Sequence, residues 1–249
     1  MATHQDDKQL FQGESHASAY KQYRPRYEKT DLVEKIMTFL QEKLDPPYDC
    51  ALDLGCGSGQ SSQLLLPHFT KVIGVDCSEA QVKEALNTPF LKNISFRCGD
   101  EKDLGFIPDN SLEVVACGQS IHWMDLGTLY PEIDRILKPG GCLAAYGYVT
   151  RTVHVIDGES ALEGQLQSLY KEIDDWIDPY YSKSIDVLLG GYYDLPLPYS
   201  DQKRFSNMKF YAEVTVDSLI GLVQSFSAFQ IAIKQSPEKS NILDEYKQK

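Results

Sequence analysis

A carboxylate followed by a glycine-rich loop is the feature of this sequence that points most directly to chemistry. Asp53 ends a short apolar run, and Gly55, Gly57 and Gly59 follow it at alternate positions. Glycine allows a backbone to turn tightly and to approach a ligand closely. Asp76 ends the next apolar run, and a carboxylate there can accept hydrogen bonds from both hydroxyls of a ribose. The combination predicts a nucleoside-binding site, in preference to Asp53 as a turn residue or Asp76 as a helix cap.

Two kinds of nucleoside cofactor use such a loop, and the neighbouring residues distinguish them. Dinucleotide binders follow G-x-G-x-x-G/A, which lets a pyrophosphate rest on a helix N-terminus. Counted from Gly55, the last position of that pattern is Gln60, which does not fit. The charge of Asp53 would also repel a pyrophosphate, whereas it suits the ammonium and sulfonium of S-adenosylmethionine, which has no phosphate. The loop therefore favours S-adenosylmethionine as the cofactor, with a nicotinamide-dependent oxidoreductase as the weaker alternative.

The elements that position these residues alternate along the chain. Helical patterns lie between short apolar strands, which the sequence places at 50–54, 71–76, 94–97, 113–117 and 142–146. Such an alternation predicts an α/β fold: a doubly wound, mostly parallel sheet with helices on both faces. Ligands bind these sheets beyond the carboxyl ends of the strands, which is where the glycine loop is expected.

The second half of the chain departs from this alternation. Residues 151–205 predict an insertion, first helical and then tyrosine-rich, that packs over the carboxyl edge of the sheet or encloses a substrate as a cap. A sixth strand is predicted from Lys209 to Val216, followed by a helix through Phe229. We expect residues 1–249 to form one domain, with the cofactor-binding core at 48–148.

The composition limits the partners that this chain can have. Its 249 residues include 24 Lys and Arg against 36 Asp and Glu, a net charge of −12. That acidity argues against nucleic acid as the main partner. No apolar run is long enough for a transmembrane helix and no secretory signal is visible, so we expect a cytoplasmic protein without a membrane partner. The six cysteines form no C-x-x-C pair and Asp125 lacks partners for magnesium, so we expect no metal. The sequence does not indicate the oligomeric state.

Four motifs in a fixed order carry a resemblance to a known family. They are Leu52–Gly59, Val75-Asp76, Gly99–Leu104 and Arg135–Gly141. Over about residues 48–148 the sequence thereby resembles the class I S-adenosylmethionine-dependent methyltransferases. A narrower resemblance, to the trans-aconitate methyltransferase group and its uncharacterised animal relatives, is carried by Tyr20–Tyr27, by His122-Trp123, and by Val216-Asp217 with Ser225–Phe229.

The resemblance implies roles for individual residues. The methionine end of the cofactor would be held by Asp53, Gly55, Gly57, Gly118 and Gln119. Asp76 would hold the ribose. The adenine would be held by Cys77, Asp100 and Glu101. A solvated charge run is the alternative for the last two. Tyr20 and Arg24 would close an N-terminal lid, residues 1–30, with Arg24 as a candidate partner of the cofactor carboxylate.

The resemblance also implies a final antiparallel strand beside the sixth strand. After Val216 the sequence has only a helical pattern and a polar end, so we expect that this strand is missing. The alternatives to an active enzyme are therefore a truncated inactive isoform and a non-catalytic protein that binds S-adenosylmethionine or serves as a scaffold.

His122 is the candidate catalytic base, because it follows the fourth strand at the edge where a substrate is expected. A partly buried histidine bonded to backbone is the alternative, and Trp123 is a candidate wall of the substrate site. A carboxylate, with a pKa of about 4, needs no base, whereas a phenol or an ammonium, with a pKa of about 10, does. The scarcity of bases favours O-methylation of a small carboxylic acid by in-line displacement, with Arg24, Arg26 and Arg151 as candidate cations.

Overall fold

Five parallel strands form one sheet at the centre of the molecule, in the order β3-β2-β1-β4-β5. The computed structural model describes residues 13–25, 27, 30–87, 92–149, 152–156, 160–206, 208–209 and 211–248. The strands are β1 Tyr48–Leu54, β2 Phe69–Asp76, β3 Ile94–Cys98, β4 Leu112–Gly118 and β5 Leu137–Tyr146. All neighbouring pairs are parallel, which confirms the predicted α/β fold. The chain leaves β1 toward β2 on one side and later returns to β4 on the other, so the carboxyl end of β1 is the switch point.

Ten helices are found among the described residues, and they cover both faces of the sheet. They are α1 Glu14–Tyr23, α2 Leu32–Gln41, α3 Gln60–Leu65, α4 Glu79–Leu86, α5 Leu126–Ile136, α6 Ser160–Ile177, α7 Ile185–Leu189, α8 Val216–Gln224, α9 Ser227–Gln235 and α10 Ile242–Gln248. The Ser78 side chain caps α4, because the Gln81 N–H donates to the Ser78 hydroxyl over 3.3 Å. A comparable cap at Asp125, which accepts from the Gly127 N–H, starts α5.

The central strands are buried on both faces because their apolar residues run without interruption. Leu52 and Val115 point to one face, where they pack with Leu129 and Ile133 of α5. Ala51 and Val114 belong to the opposite face and pack with the apolar stripe of α2. These two cores hold β1 and β4 rigidly, and the loops that follow them start from fixed points.

The insertion is helical and packs in two places. Ile173 and Ile177 of α6 join a third apolar cluster with Leu222 of α8 and Phe229 of α9. Farther along, Leu188 of α7 and two residues that follow it, Tyr192 and Leu195, pack into the core of the α5 face. The second contact brings the tyrosine-rich part of the insertion to the end of β4.

The predicted sixth strand is wrong. Described residues between Lys209 and Thr215 form no strand, and α8 begins at Val216, where the Thr215 hydroxyl accepts from the Ser218 N–H. The side chains of Tyr211, Val214 and Val216 are 75%, 52% and 53% exposed. A strand requires a neighbour for its backbone groups, and within the described residues β5 pairs with β4 alone.

One further helical feature concerns membranes. No single helix of the described ranges has the length and apolar composition needed to cross a membrane. The pair α8 and α9, bent by 73°, satisfies that criterion only by combined length and composition. Its residues Leu222, Val223 and Phe229 lie buried in the third apolar cluster.

Candidate active site

The glycine loop after β1 is held against the end of β2. The N–H groups of Gly55 and Cys56 both donate to the Val75 carbonyl, over 2.7 and 3.0 Å. Gly55 and Gly59 have φ angles of +75° and +83°, and a Cβ at these positions would lie 2.3 Å from the Ser120 Cβ and 2.6 Å from the Phe96 ring. Glycine is therefore required here by conformation and by space together.

Asp76 is bound by the backbone on both of its carboxylate oxygens. Oδ2 accepts from the Gly57 N–H over 2.8 Å, and Oδ1 accepts from the Ser78 N–H over 2.9 Å. Burial raises the pKa of Asp76, and the two backbone hydrogen bonds oppose that rise. Each carboxylate oxygen has a second lone pair, so the fixed carboxylate can still accept hydrogen bonds from a ribose.

Asp53 lies behind the loop and is fully buried. Its Oδ2 accepts from the Ser62 hydroxyl over 2.6 Å, while its Oδ1 has no hydrogen-bond partner among the described residues. Burial, and after it the neighbouring charge of Asp76, raises the pKa of Asp53 to about 7. Asp53 thus acts on the site through its charge, since it does not line the cleft.

A cleft opens at the carboxyl ends of β1, β2 and β4, where doubly wound sheets bind their ligands. Nine of its lining residues are predicted ones: Tyr20, Gly55, Gly57, Asp76, Cys77, Asp100, Glu101, Gln119 and Trp123. The sequence did not identify five others: Leu54, Gln81, Gly99, Ser120 and Met124. No Lys or Arg occurs among these lining residues, while three carboxylates do.

Several predicted residues lie elsewhere. Gly118 packs behind the cleft, where a Cβ would lie 2.7 Å from the Tyr146 ring. Arg24 and His122 do not line the cleft either. Arg26 and Arg151 lie outside the described residues. In the ranges that the structure describes, no three His, Cys, Asp or Glu side chains are grouped as a metal site requires.

The helix α1 covers one side of the cleft, as expected for a lid. Tyr20 lines the cleft next to Gly57, 3.7 Å from the position of a Cβ there. Lys21 donates to the Glu84 carbonyl and carboxylate, over 2.9 and 3.1 Å, and so ties α1 to α4. On its other side α1 meets α8, where a Cβ on Gly221 would lie 2.4 Å from the Tyr23 ring. The absence of a side chain at Gly221 thus allows α1 to pack closely against α8.

Arg24 follows α1 and is enclosed by aromatic rings. Its guanidinium lies over the rings of Tyr20 and Phe226, at 4.8 and 4.9 Å from their centroids. Nη2 donates to the Ser225 carbonyl over 3.0 Å, and Tyr148 is a further hydrogen-bond partner. Its buried Nε has no hydrogen-bond partner, and no carboxylate forms an ion pair with it, in the part of the chain that the structure describes. Behind Tyr20 there is therefore a buried guanidinium with no carboxylate partner among the described residues.

His122 lies in a short helical turn, Ile121–Trp123, directly after β4. Its Nδ1 is 2.8 Å from the Tyr192 hydroxyl, and its buried Nε2 has no described partner. Burial lowers the pKa of His122 to about 3. The ring is therefore neutral at pH 7 and too weak a base to deprotonate a phenol or an ammonium. The base interpretation does not fit, and the alternative needs correction too, since the partner is a side chain and not backbone.

Gln119 joins the ends of β4 and β5. It has a φ of +56°, uncommon for a residue with a side chain. Its N–H donates to the Tyr146 carbonyl over 2.8 Å, and its Nε2 donates to the Tyr148 carbonyl over 2.9 Å. These bonds leave the buried Oε1 without a described partner. The sequence identified Gln119 as a site residue, whereas Tyr146 and Tyr148 lie outside the tyrosine-rich stretch that it indicated.

The residues present fit S-adenosylmethionine. The buried Oε1 of Gln119, a residue of the cleft lining, is an acceptor without a described donor, and buried polar groups of this kind normally have partners. A ligand with an ammonium supplies donors, and the acidic lining attracts its positive charges. The pyrophosphate of a dinucleotide would lie against carboxylates, with no Lys or Arg in the described lining. The site therefore does not suit a dinucleotide cofactor.

Comparisons with known proteins agree with this geometry. Residues 52–145 match the model of a methyltransferase domain. A Dictyostelium discoideum protein named as a methyltransferase is 25% identical over 237 residues, which cover 93% of this chain and 84% of that protein. The trans-aconitate 2-methyltransferase of Variovorax paradoxus is 29% identical over 155 residues, 60% of this chain and 55% of that enzyme.

A solved structure extends the likeness to the fold. A type II methyltransferase from Anaeromyxobacter dehalogenans superposes with a TM-score of 0.66 at 26% identity, over 90% of this chain and 86% of that one. Fold, site and relatives together define an enzyme that uses S-adenosylmethionine as its methyl donor. Over residues 52–145 the chain is thus similar to methyltransferase domains, and over most of its length it is similar to the Dictyostelium discoideum protein.

Proposed function

We propose that this methyltransferase acts on a small carboxylic acid and forms a methyl ester. The observation that carries the proposal is Arg24, an enclosed guanidinium without a described counter-ion beside the lid residue Tyr20. Such a group binds carboxylates strongly, because the hydrogen bonds are charge-assisted. The acidic lining of the cleft suits the cationic donor, so Arg24 provides the opposite charge for an anionic acceptor.

The protonation states near the cleft support the same acceptor class. His122 is neutral, with a pKa of about 3, and Asp53, with a pKa of about 7, is separated from the cleft by the glycine loop. A carboxylate acceptor is already ionised at pH 7 and requires neither residue as a base.

The chain's remaining task is alignment. When bound, S-adenosylmethionine supplies a methyl group that is activated by its sulfonium. Asp76 and the loop at Gly55 and Gly57 would hold this donor. The lid residue Tyr20 excludes water, and Arg24 fixes the acceptor carboxylate. Holding two reactants in line in this way contributes much of the rate of such a reaction.

A relative supports the proposal from a different direction. The Variovorax paradoxus enzyme is named for trans-aconitate, which is a carboxylic acid. This chain covers 55% of that enzyme, so the name supports the acceptor class and leaves the particular acid to experiment.

The proposal is tested by incubating the protein with methyl-labelled S-adenosylmethionine and a panel of di- and tricarboxylic acids. Phenols and amines of similar size are the matched controls. Mass spectrometry should detect labelled methyl esters of at least one acid and no labelled control. If calorimetry shows that S-adenosylmethionine binds but no acid becomes labelled, the proposal is overturned. Binding without labelling of any compound, including those of a metabolite extract, would instead support a non-catalytic binding module.

Arg24→Gln separates the two possible partners of this guanidinium. We expect the KM of the acid to rise by about 10- to 100-fold, the value of one or two charge-assisted hydrogen bonds. The Kd of S-adenosylmethionine, measured by calorimetry, should stay within about twofold of wild type. Arg24→Lys keeps the charge, and its KM for the acid should lie between those of wild type and Arg24→Gln. A weakened cofactor Kd with an unchanged KM would assign Arg24 to the carboxylate of the cofactor.

A further inference from the structure

Gln81 is a buried polar residue of the cleft lining. It is the third residue of α4, is 2% exposed, and lines the cleft together with Gly57 and Asp76. Its Oε1 has no hydrogen-bond partner in the part of the chain that the structure describes. Buried acceptors normally have a donor, so a ligand in the cleft is the candidate to supply one.

The sequence around Gln81 would ordinarily engage its side chain at the helix end. Ser78 and Gln81 have the spacing of a capping box, in which the Gln side chain accepts from the backbone N–H of the Ser. Only half of the box forms, with the Gln81 N–H donating to the Ser78 hydroxyl over 3.3 Å. The Ser78 N–H donates instead to Asp76 Oδ1 over 2.9 Å. Asp76 thus replaces the Gln81 amide at the start of α4, and that amide is available for another contact.

The available oxygen lies at the glycine loop. Gln81 Oε1 is 3.8 Å from the position that a Cβ on Gly57 would occupy, and the Tyr20 ring is 3.7 Å from the same position. The Gly57 N–H donates to Asp76 Oδ2 over 2.8 Å. All four residues line the cleft. Oε1 therefore lies between the loop and the lid, at the same glycine as the Asp76 carboxylate.

A ribose suits these two acceptors together. Its two neighbouring hydroxyls are both donors, and each oxygen of Asp76 already accepts from one backbone N–H. One lone pair is then left on each of these oxygens. A neutral amide oxygen adds an acceptor without placing a second carboxylate beside Asp76, where like charges would disfavour ionisation.

We propose that Gln81 is a second ribose-binding residue, whose Oε1 accepts a hydrogen bond from one of the two ribose hydroxyls of S-adenosylmethionine. The end of β2 and the first turn of α4 would then bind the diol together, and the cleft would select ribonucleosides over deoxyribonucleosides. This inference does not depend on the methyl acceptor, so it holds or fails separately from the proposed carboxylic acid.

Calorimetry with three ligands tests this contact without turnover. Gln81→Met keeps the length of the side chain and removes the amide. Its Kd for S-adenosylhomocysteine should be about 3- to 10-fold higher than that of wild type, the value of one hydrogen bond. Of the 2′-deoxy and 3′-deoxy analogues, the one that lacks the hydroxyl bound by Gln81 should bind both proteins equally, and the other should show the full difference. The same loss for all three ligands, or no loss for S-adenosylhomocysteine, would overturn the proposal.

The stability of the ligand-free protein supplies a second readout. Gln81→Met removes a buried acceptor that has no described donor, so the urea midpoint should stay equal or rise. If the midpoint falls, the three ligands still decide, because a general loss of structure weakens all of them alike. Gln63→Met is the matched control, since Gln63 is partly buried in α3 and does not line the cleft. Its three Kd values should stay within about twofold of wild type.

Discussion

The two sides of the cleft are built in different ways. The acidic side consists of Asp53, Asp76, Asp100 and Glu101 with the glycine loop, at the ends of β1 and β2 and in the turns that follow β1 and β3. The aromatic side consists of Arg24, Gln119, His122, Tyr148 and Tyr192, which come from the lid, from the ends of β4 and β5, and from the insertion. The first is a local motif that folds with the sheet, and the second exists only when distant segments have packed together.

The difference extends to charge. The acidic side uses carboxylates and backbone groups, with no lining Lys or Arg in the described residues, and it suits a cation. The aromatic side has a guanidinium without a described acidic partner and a neutral imidazole, and it suits an anion. Of these groups Asp76, Asp100 and Glu101 line the cleft, whereas Arg24 and His122 lie behind its lining, so the two sides differ in position as well as in charge.

The largest expected effect comes from Gly55→Ala, which tests whether the backbone of the acidic side tolerates a side chain. The new Cβ would lie 2.3 Å from the Ser120 Cβ at a φ of +75°. Left-handed strain and overpacking together cost about 2–5 kcal/mol. Urea unfolding and calorimetry with S-adenosylmethionine should show the loss as lower stability, weaker binding or both. Gly105→Ala, where a Cβ meets nothing within 4 Å, is the matched control; equal behaviour of the two variants would contradict the requirement.

A smaller effect is expected from Gly221→Ala, which tests the lid that joins both sides. A Cβ at 221 would lie 2.4 Å from the Tyr23 ring, so overpacking should cost about 1–3 kcal/mol, partly offset by the better helix propensity of Ala. Cofactor release, followed in stopped flow, should accelerate. In the Tyr23→Ala background the same substitution should cost nothing, because the clash is gone. Additive effects in this double-mutant cycle would show that Tyr23 does not seat the lid.

A third effect is a pH dependence that should belong to the acidic side alone. The pKa of Asp53 is about 7 in the folded protein and about 4 when unfolded. The folded state therefore binds a proton that the unfolded chain releases, and the stability from Asp53 falls between pH 4 and 7, by at most about 1.4 kcal/mol per unit. S-Adenosylmethionine should prefer the ionised carboxylate, so its affinity should rise with pH, by at most about tenfold per unit below pH 7.

Asp53→Asn isolates that contribution. The difference in unfolding free energy between wild type and variant should change between pH 4 and 7, because Asp76, which is also shifted upward, is common to both. Calorimetry at pH 6, 7 and 8 should show a flatter cofactor affinity in the variant. Parallel pH profiles for the two proteins would assign the dependence to Asp76 or to another group.

What the sequence could predict follows the same division. Asp53, the glycines and Asp76 are close in sequence, and their turn chemistry is set by residue type alone. The cofactor and the central sheet were therefore predictable. The role of His122 was not, because its low pKa results from burial and its hydrogen-bond partner, Tyr192, lies far along the chain.

The sixth strand failed for a related reason. Residues 209–216 have strand-forming composition, but a strand also requires a partner, and composition does not report whether one is present. The contact of Tyr23 with Gly221 could not be predicted from the sequence either, since it depends on the distance between α1 and α8.

The contact between Arg24 and the Ser225 carbonyl spans 201 residues of sequence, and this separation orders events during synthesis. A growing chain emerges N-terminus first, so the five strands and the glycine loop leave the ribosome while the acceptor for Arg24 is still unmade. The contact of Arg24 with the turn between α8 and α9 is therefore among the last tertiary contacts that can form during synthesis.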